Sequence, residues 1–229
     1  MLVKTLRFGF AGLLVLALAG CASGGAGQAD TAPTATPTPE SSNTAKSLPR
    51  LTDADLAGVF TKLQFIPDQY ADSGELLDSI YPGLTTSDPT CLTPFGVGWD
   101  SMLPEATLEF GTSGDRSMTA VVGSVGDADL ASDLVSESTD ALARCAQGTG
   151  LFLMQGQAVQ TQVEPFDAEL TGADESVAFR VTGDVGGFAF ALVGITARVG
   201  GNVVALVGWD PFTNESNVPT ASQMFVDDL

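Results

Sequence analysis

The sequence predicts an α+β domain, a single antiparallel β-sheet packed with two or three helices and stapled by one disulfide, behind an N-terminal stretch that does not fold. Three observations predict it. Most segments after Glu105 alternate apolar and polar residues with a period of two. One long segment between them, from Asp127 to about Ala146, repeats with a helical period instead. The run from Ala22 to Pro49 is Gly, Ala, Thr, Pro and Ser with almost no large apolar residue, and cannot bury enough surface to offset its ordering entropy.

The chain opens on a secretory leader. Lys4 and Arg7 form a short basic region, and Phe8 to Ala17 is an apolar run too short to cross a bilayer. Leu18-Ala19-Gly20-Cys21 follows, a small-residue run ending directly in Cys. It resembles the lipobox of bacterial lipoproteins, which implies cleavage before Cys21 and alkylation of its thiol by a diacylglycerol that carries fatty acids such as palmitate. Residues 1–20 are thus expected to be a signal peptide, 21–50 a lipid-anchored spacer, and 51–229 the domain. Two acyl chains, at about 0.8 kcal/mol per buried CH₂, make release from the membrane very slow.

Within the domain, Thr52 is placed to cap a first helix, with Asp53 and Asp55 in its first turn and Leu56, Val59 and Phe60 on one side. Pro67 to Thr90 reads as a long excursion with one helical turn near Glu75 to Ile80, and residues 91–104 fit no pattern. Ala106, Leu108 and Phe110 alternate with Glu105, Thr107 and Glu109, as in a half-buried strand. Gly111 to Asp115 is turn material, and Met118 to Val125 completes a hairpin. Asp127 caps the long helix, whose Leu130, Leu134, Ala141, Leu142 and Cys145 fall on one face and whose stop is Gly148.

Strand signals then run to near the end: Leu151 to Met154, Val159 to Glu164, Ser176 to Asp184, Phe188 to Val199 and Asn202 to Trp209, the last two joined by Gly200-Gly201. Phe188 to Val199 is apolar on both faces, as in a central strand or one that lines a cavity. A closing helix is expected from about Pro219 to Leu229. Val97-Gly98-Trp99-Asp100 recurs as Val207-Gly208-Trp209-Asp210, but the flanks share nothing.

Charge and missing residue types exclude several function classes. The chain carries a net charge of −19; all but two of its 28 acidic residues lie in the domain, which has five basic ones, Lys62, Arg116, Arg144, Arg180 and Arg198. That field repels nucleic acid and anionic lipid surfaces. The chain has no histidine, which removes the commonest general base, the Ser-His and Cys-His dyads and the usual zinc ligand sets. No nucleophile elbow, dinucleotide fingerprint or phosphate loop is present. Asp127, Asp129 and Asp133 lack the glycine and closing Glu of a calcium loop and read as partners of a helix N-terminus. No catalytic residue, metal or cofactor is expected, and the domain reads as a non-enzyme.

Of three cysteines, acylation of Cys21 leaves Cys91 and Cys145, 54 residues apart. In an oxidising compartment they are expected to pair, the helical phase turning Cys145 inward.

Four segments carry a family resemblance: Asp88-Pro89-Thr90-Cys91; Ala141-Leu142-Ala143-Arg144-Cys145; Gly172 to Arg180; and Arg198-Val199-Gly200-Gly201-Asn202-Val203-Val204. In their order and spacing the chain resembles the PknH-like extracellular sensor domain of actinobacteria, found on a transmembrane Ser/Thr kinase and as free lipoproteins. The resemblance implies an antiparallel sheet with helices forming a cleft, and an extracytoplasmic location. It brings no catalytic residues. The kinase's domain has a second disulfide for which this chain has no cysteines, so the cleft rim it would fix differs here. The expected function is a membrane-anchored, extracytoplasmic domain that binds a small ligand or cell-envelope component. The alternatives are a carrier of a hydrophobic lipid ligand, motivated by Phe188 to Val199, and a protein–protein adaptor in envelope signalling, using loops such as Pro67 to Thr90. The partners expected are thus the membrane, through the anchor, and such a ligand, and no ligand-binding residues are assigned.

Overall fold

A β-sheet apolar on both sides needs cover on both sides, and here helices supply it. The computed structural model describes residues 49–229 except 68–69, 81–82, 86–87, 155 and 210, all within the second of the two units into which the chain divides, Asn43–Leu229. The leader, Cys21 and most of the spacer lie outside the described residues.

In chain order the elements are α1 (Asp53–Lys62), β1 (Phe65–Ile66), α2 (Ser73–Ile80), β2 (Leu84–Thr85), a 3₁₀ segment (Pro89–Phe95) and α3 (Trp99–Met102). The hairpin β3 (Thr107–Ser113) and β4 (Met118–Ser124) is followed by α4 (Ala128–Arg144). Five more strands, β5 (Gln147–Met154), β6 (Gln157–Phe166), β7 (Glu175–Val185), β8 (Phe188–Val199) and β9 (Asn202–Trp209), precede α5 (Pro211–Asp228). Every described pairing is antiparallel. The strands form one nine-stranded sheet, in the order β1-β3-β4-β9-β8-β7-β6-β5-β2. The α+β expectation holds, with five α-helices and the 3₁₀ segment among the described residues in place of two or three helices.

Strand alternation sends side chains to two cores. On one face, α1 and α5 cover Ala120, Val122, Val193, Ile195, Ala197, Val204 and Leu206. Phe60, Phe65 and Phe225 pack there edge-on, with ring centroids 5.2 to 6.2 Å apart. On the other face, α2, the 3₁₀ segment and α4 cover Val121, Phe179, Val181, Leu192, Val203 and Val207. Strand β8, fifth of nine, is therefore core on both sides: Leu192, Val193, Ile195 and Ala197 have no exposed surface. Over those residues it lines no cavity, which takes away the motive for the lipid-carrier reading. Phe188, at the start of the strand beside Gly186-Gly187, is 78% exposed.

Local signals explain the boundaries. Thr52 and Asp55 make a reciprocal capping box on α1. Asp127 caps α4 by accepting from the Asp129 and Leu130 amides. Gly200 has a positive φ in the two-residue turn between β8 and β9, with Val199 opposite Asn202. Gly194 on β8 faces its cross-strand partner Phe179, whose ring fills the space a side chain would need.

Several expectations are corrected. Glu109, placed on the open side of a half-buried strand, is buried, because β1 and α1 cover that side of β3; its carboxylate accepts from the Phe110 amide. The buried stripe of α4 is Ala131, Leu134, Val135, Ser138 and Ala141, and Leu130 is half exposed. Helix α4 ends at Arg144 with Cys145 as its cap, so Gly148 sits inside β5 opposite Thr161. The closing helix begins at Pro211 and holds Pro219 inside it; a proline at the first helical position costs no hydrogen bond. Residues 67–90 contain a packed helix, with Ser73, Leu76 and Leu77 buried, which leaves less open loop for the adaptor reading. The two Val-Gly-Trp-Asp copies are unrelated in structure: Trp99 is buried at the start of α3, and Trp209 ends β9.

Candidate functional site

The four segments that carry the family resemblance prove to be two structural clasps. In the first, Cys91 on the 3₁₀ segment and Cys145 at the end of α4 form the expected disulfide, with Cα atoms 5.9 Å apart. Beside it Asp88 accepts from the Thr90 amide at 3.0 Å and the Thr90 hydroxyl at 2.7 Å, and Arg144 donates to the same hydroxyl at 2.9 Å. Those two Thr90 bonds hold the Asp88 carboxyl below its ordinary range. In the second clasp, Arg198 on β8 bonds Glu175 opposite it on β7 at 2.8 Å and Asp174 at 3.2 Å. Asp174 also accepts from the Gly200 amide, so the β6–β7 loop is tied to the β8–β9 turn. These side chains are spent on the fold.

Of the cavities along the described residues, three are relevant here. One, of about 410 Å³, lies along the loop from Ala168 to Ser176, where the carboxylates of Asp174 and Glu175 are already held by Arg198. A second, of about 200 Å³, is an apolar slot between α4 and strands β6 and β7, lined by Leu142, Ala143, Val163, Pro165, Val177 and Phe179. Its one hydroxyl, on Thr139, donates to the Val135 carbonyl within α4.

The third, about 530 Å³ and the largest of these three, has both apolar and polar walls. Three elements converge on it: the end of α1 and start of β1 (Leu63, Gln64, Phe65), the β3–β4 turn (Ser113, Gly114, Asp115, with Met118), and α5 (Asn217, Thr220, Ala221, Met224). Each is fixed from behind. Phe65 belongs to the aromatic triad and pairs with Ser113 across the sheet edge. The turn is held by Ser113, whose hydroxyl accepts from the Met118 amide at 3.0 Å and donates to Asp115 at 2.7 Å. The Asp115 oxygen Oδ1 also accepts from the amide and hydroxyl of Ser117, at 3.0 and 2.8 Å. The Ser113 bond first, then the two from Ser117, hold its carboxyl below the ordinary aspartate range.

Among the described residues only two non-glycine residues have a positive φ: Gln64, at 63°, lines this pocket, and Arg116, at 59°, follows the lining residue Asp115 in the turn. Gln64 is the left-handed residue that ends α1, a place where glycine is usual. Arg116 follows Asp115 in the turn and donates to the Ser79 carbonyl in the last turn of α2 at 2.8 Å. Backbone held in a sparsely populated region concentrates at ligand sites, and here Gln64 brings it to the cavity wall.

Comparison with known proteins adds little to this geometry. No family model matches the sequence, and no curated protein matches it. Among solved structures, the chain is similar to the extracellular domain of PknH from Mycobacterium tuberculosis. Identity is 16%, the match covers 79% of this chain and 93% of that one, and the TM-score is 0.46.

Of the expected site residues, Cys91 and Cys145 are brought together and Cys21 lies outside the described residues. The pocket residues were not singled out in the sequence. Ser113-Gly114-Asp115-Arg116-Ser117 reads only as a hairpin turn, and nothing in its pattern tells that α1 and α5 close over it.

Proposed function

We propose that this protein is a lipoprotein anchored through Cys21 on the outer side of a membrane, whose folded domain is a non-enzymatic module binding a small ligand between α1, the β3–β4 turn and α5. The pocket itself carries the reading: about 530 Å³ falls in the range of small-molecule sites, and mixed apolar and polar walls are what such sites use. The absence of histidine and of any nucleophile motif in the sequence supports binding over catalysis.

Two experiments test the two halves. Metabolic labelling with an alkyne fatty acid should mark the wild type and not Cys21→Ser; equal labelling would refute the anchor. For the site, methionine-methyl NMR with fragments of varied charge should shift Met118 and Met224, which line the pocket, and leave the exposed Met102 in place. No fragment of any charge moving Met118 or Met224 would refute the pocket as a binding site.

A further inference from the structure

We propose that this pocket selects a cationic ligand, a small primary ammonium compound with an apolar body; the proposal rests on the pocket being the binding site. Asp115 is the one ionisable residue among the described lining residues. Its Oδ1 takes two bonds from Ser117 and one from Ser113, which fix the plane of the carboxylate. None of these three bonds uses Oδ2, and Asp115 makes no ion pair among the described residues. Two basic residues on the elements that build the pocket are engaged elsewhere: Arg116, next to Asp115 in the turn, bonds the Ser79 carbonyl, and Lys62, at the end of α1, pairs with Asp228. A carboxylate so positioned, with no cation paired to it among the described residues, is a ready acceptor for an ammonium group, and charge-assisted bonds are the stronger kind.

The rest of the cavity defines the body of the ligand. Leu63, Phe65, Met118 and Met224 offer apolar surface, and methionine adapts to irregular shapes and favours contact with aromatic rings. Gln64 and Asn217 add neutral polar contacts. The net charge of −19 raises the local concentration of cations and disfavours anions.

The test titrates the intact chain, in a non-ionic detergent, with three probes of one shape: phenethylamine, phenethyl alcohol and phenylacetate. Saturable shifts of the Met118 and Met224 methyls are expected with phenethylamine, about five-fold tighter than with the alcohol, and weakest binding with the acid. Asp115→Asn keeps the Oδ1 acceptor and should bring the amine down to the alcohol. Asp140→Asn, which removes an exposed charge on α4, should leave the preference intact. If the alcohol or acid binds as well as the amine in the wild type, the cationic assignment is overturned and the pocket stands. If Asp140→Asn weakens the amine as much as Asp115→Asn does, overall charge is responsible and the assignment again falls. If none of the probes moves either methyl, the assignment falls, and the wider fragment series decides whether the pocket falls with it.

Discussion

Removing the Cys91–Cys145 bridge tests how the domain is held together. The double variant Cys91→Ala/Cys145→Ala deletes a crosslink between residues 54 apart, joining the 3₁₀ segment to the end of α4. The chain-entropy relation gives about 4 kcal/mol for that separation. Against the roughly 5–15 kcal/mol of an ordinary domain this is a large share. Both sulfurs sit in the core beside Leu77, Leu92 and Phe95, so the alanines leave a small void and the entropic figure is a lower bound. Urea unfolding of variant and wild type, followed by tryptophan fluorescence, gives the difference directly. Because the crosslink acts on the unfolded chain, its loss should also raise the denaturant slope, as the unfolded state exposes more surface. A loss below about 1 kcal/mol with an unchanged slope would refute the reasoning and leave the packing of α4 on the sheet as the main tie.

Other consequences are equally direct. Gly194→Ala places a Cβ 2.2 Å from the tip of the Phe179 ring, which packs against Phe95, so the melting temperature should fall with a cost of about 1–3 kcal/mol; an unchanged melt would show that the ring moves into the slot it lines. Gln64→Gly relieves a left-handed backbone and should gain about 0.5–1 kcal/mol in urea unfolding, while weakening any ligand that uses the Gln64 amide; a loss of stability would mean that the side chain holds the end of α1. Asp55, Asp88 and Asp115 all have carboxyls held below their ordinary range by hydroxyl and amide donors, chiefly from Thr52, Thr90 and Ser113. Lower folded than unfolded pKa values mean that the unfolded chain takes up protons first, so their contribution is complete above the ordinary aspartate value of about 3.9 and is lost as pH falls through the folded values. The urea midpoint should therefore drop between about pH 5 and pH 2, and less steeply in Ser113→Ala; an identical fall in that variant would exclude Asp115 as a contributor.

Much of this fold was legible because its signals are periodic. The alternation of β7, the two-sided apolar run of β8, the Gly200-Gly201 turn, the caps at Thr52 and Asp127 and the inward phase of Cys145 all follow from local spacing. What escaped depends on which neighbour arrives. Leu130 reads as core by hydrophobicity, yet α4 turns its small residues, Ala131, Ser138 and Ala141, toward the sheet and leaves Leu130 to solvent. Glu109 reads as exposed because the sequence does not show that α1 and β1 fold back over β3. Pro219 reads as a helix start, whereas Pro211 supplies the start eight residues earlier. The pocket escaped for the same reason: its three walls come from residues 63–65, 113–118 and 217–224, and no local pattern spans them.

The central claim, that this cavity is a binding site, is tested most directly by closing it. A Cβ at Gly114 would meet no other atom within 4 Å, so the position accepts a side chain, and Gly114→Trp is the variant that puts a bulky ring at the pocket wall. With phenethylamine as probe, the wild type should show saturable shifts at the Met118 and Met224 methyls, and Gly114→Trp should show none, with Met102 still in both. Equal shifts in the variant, or shifts at Met102 as large as those at Met118 and Met224, would contradict the account.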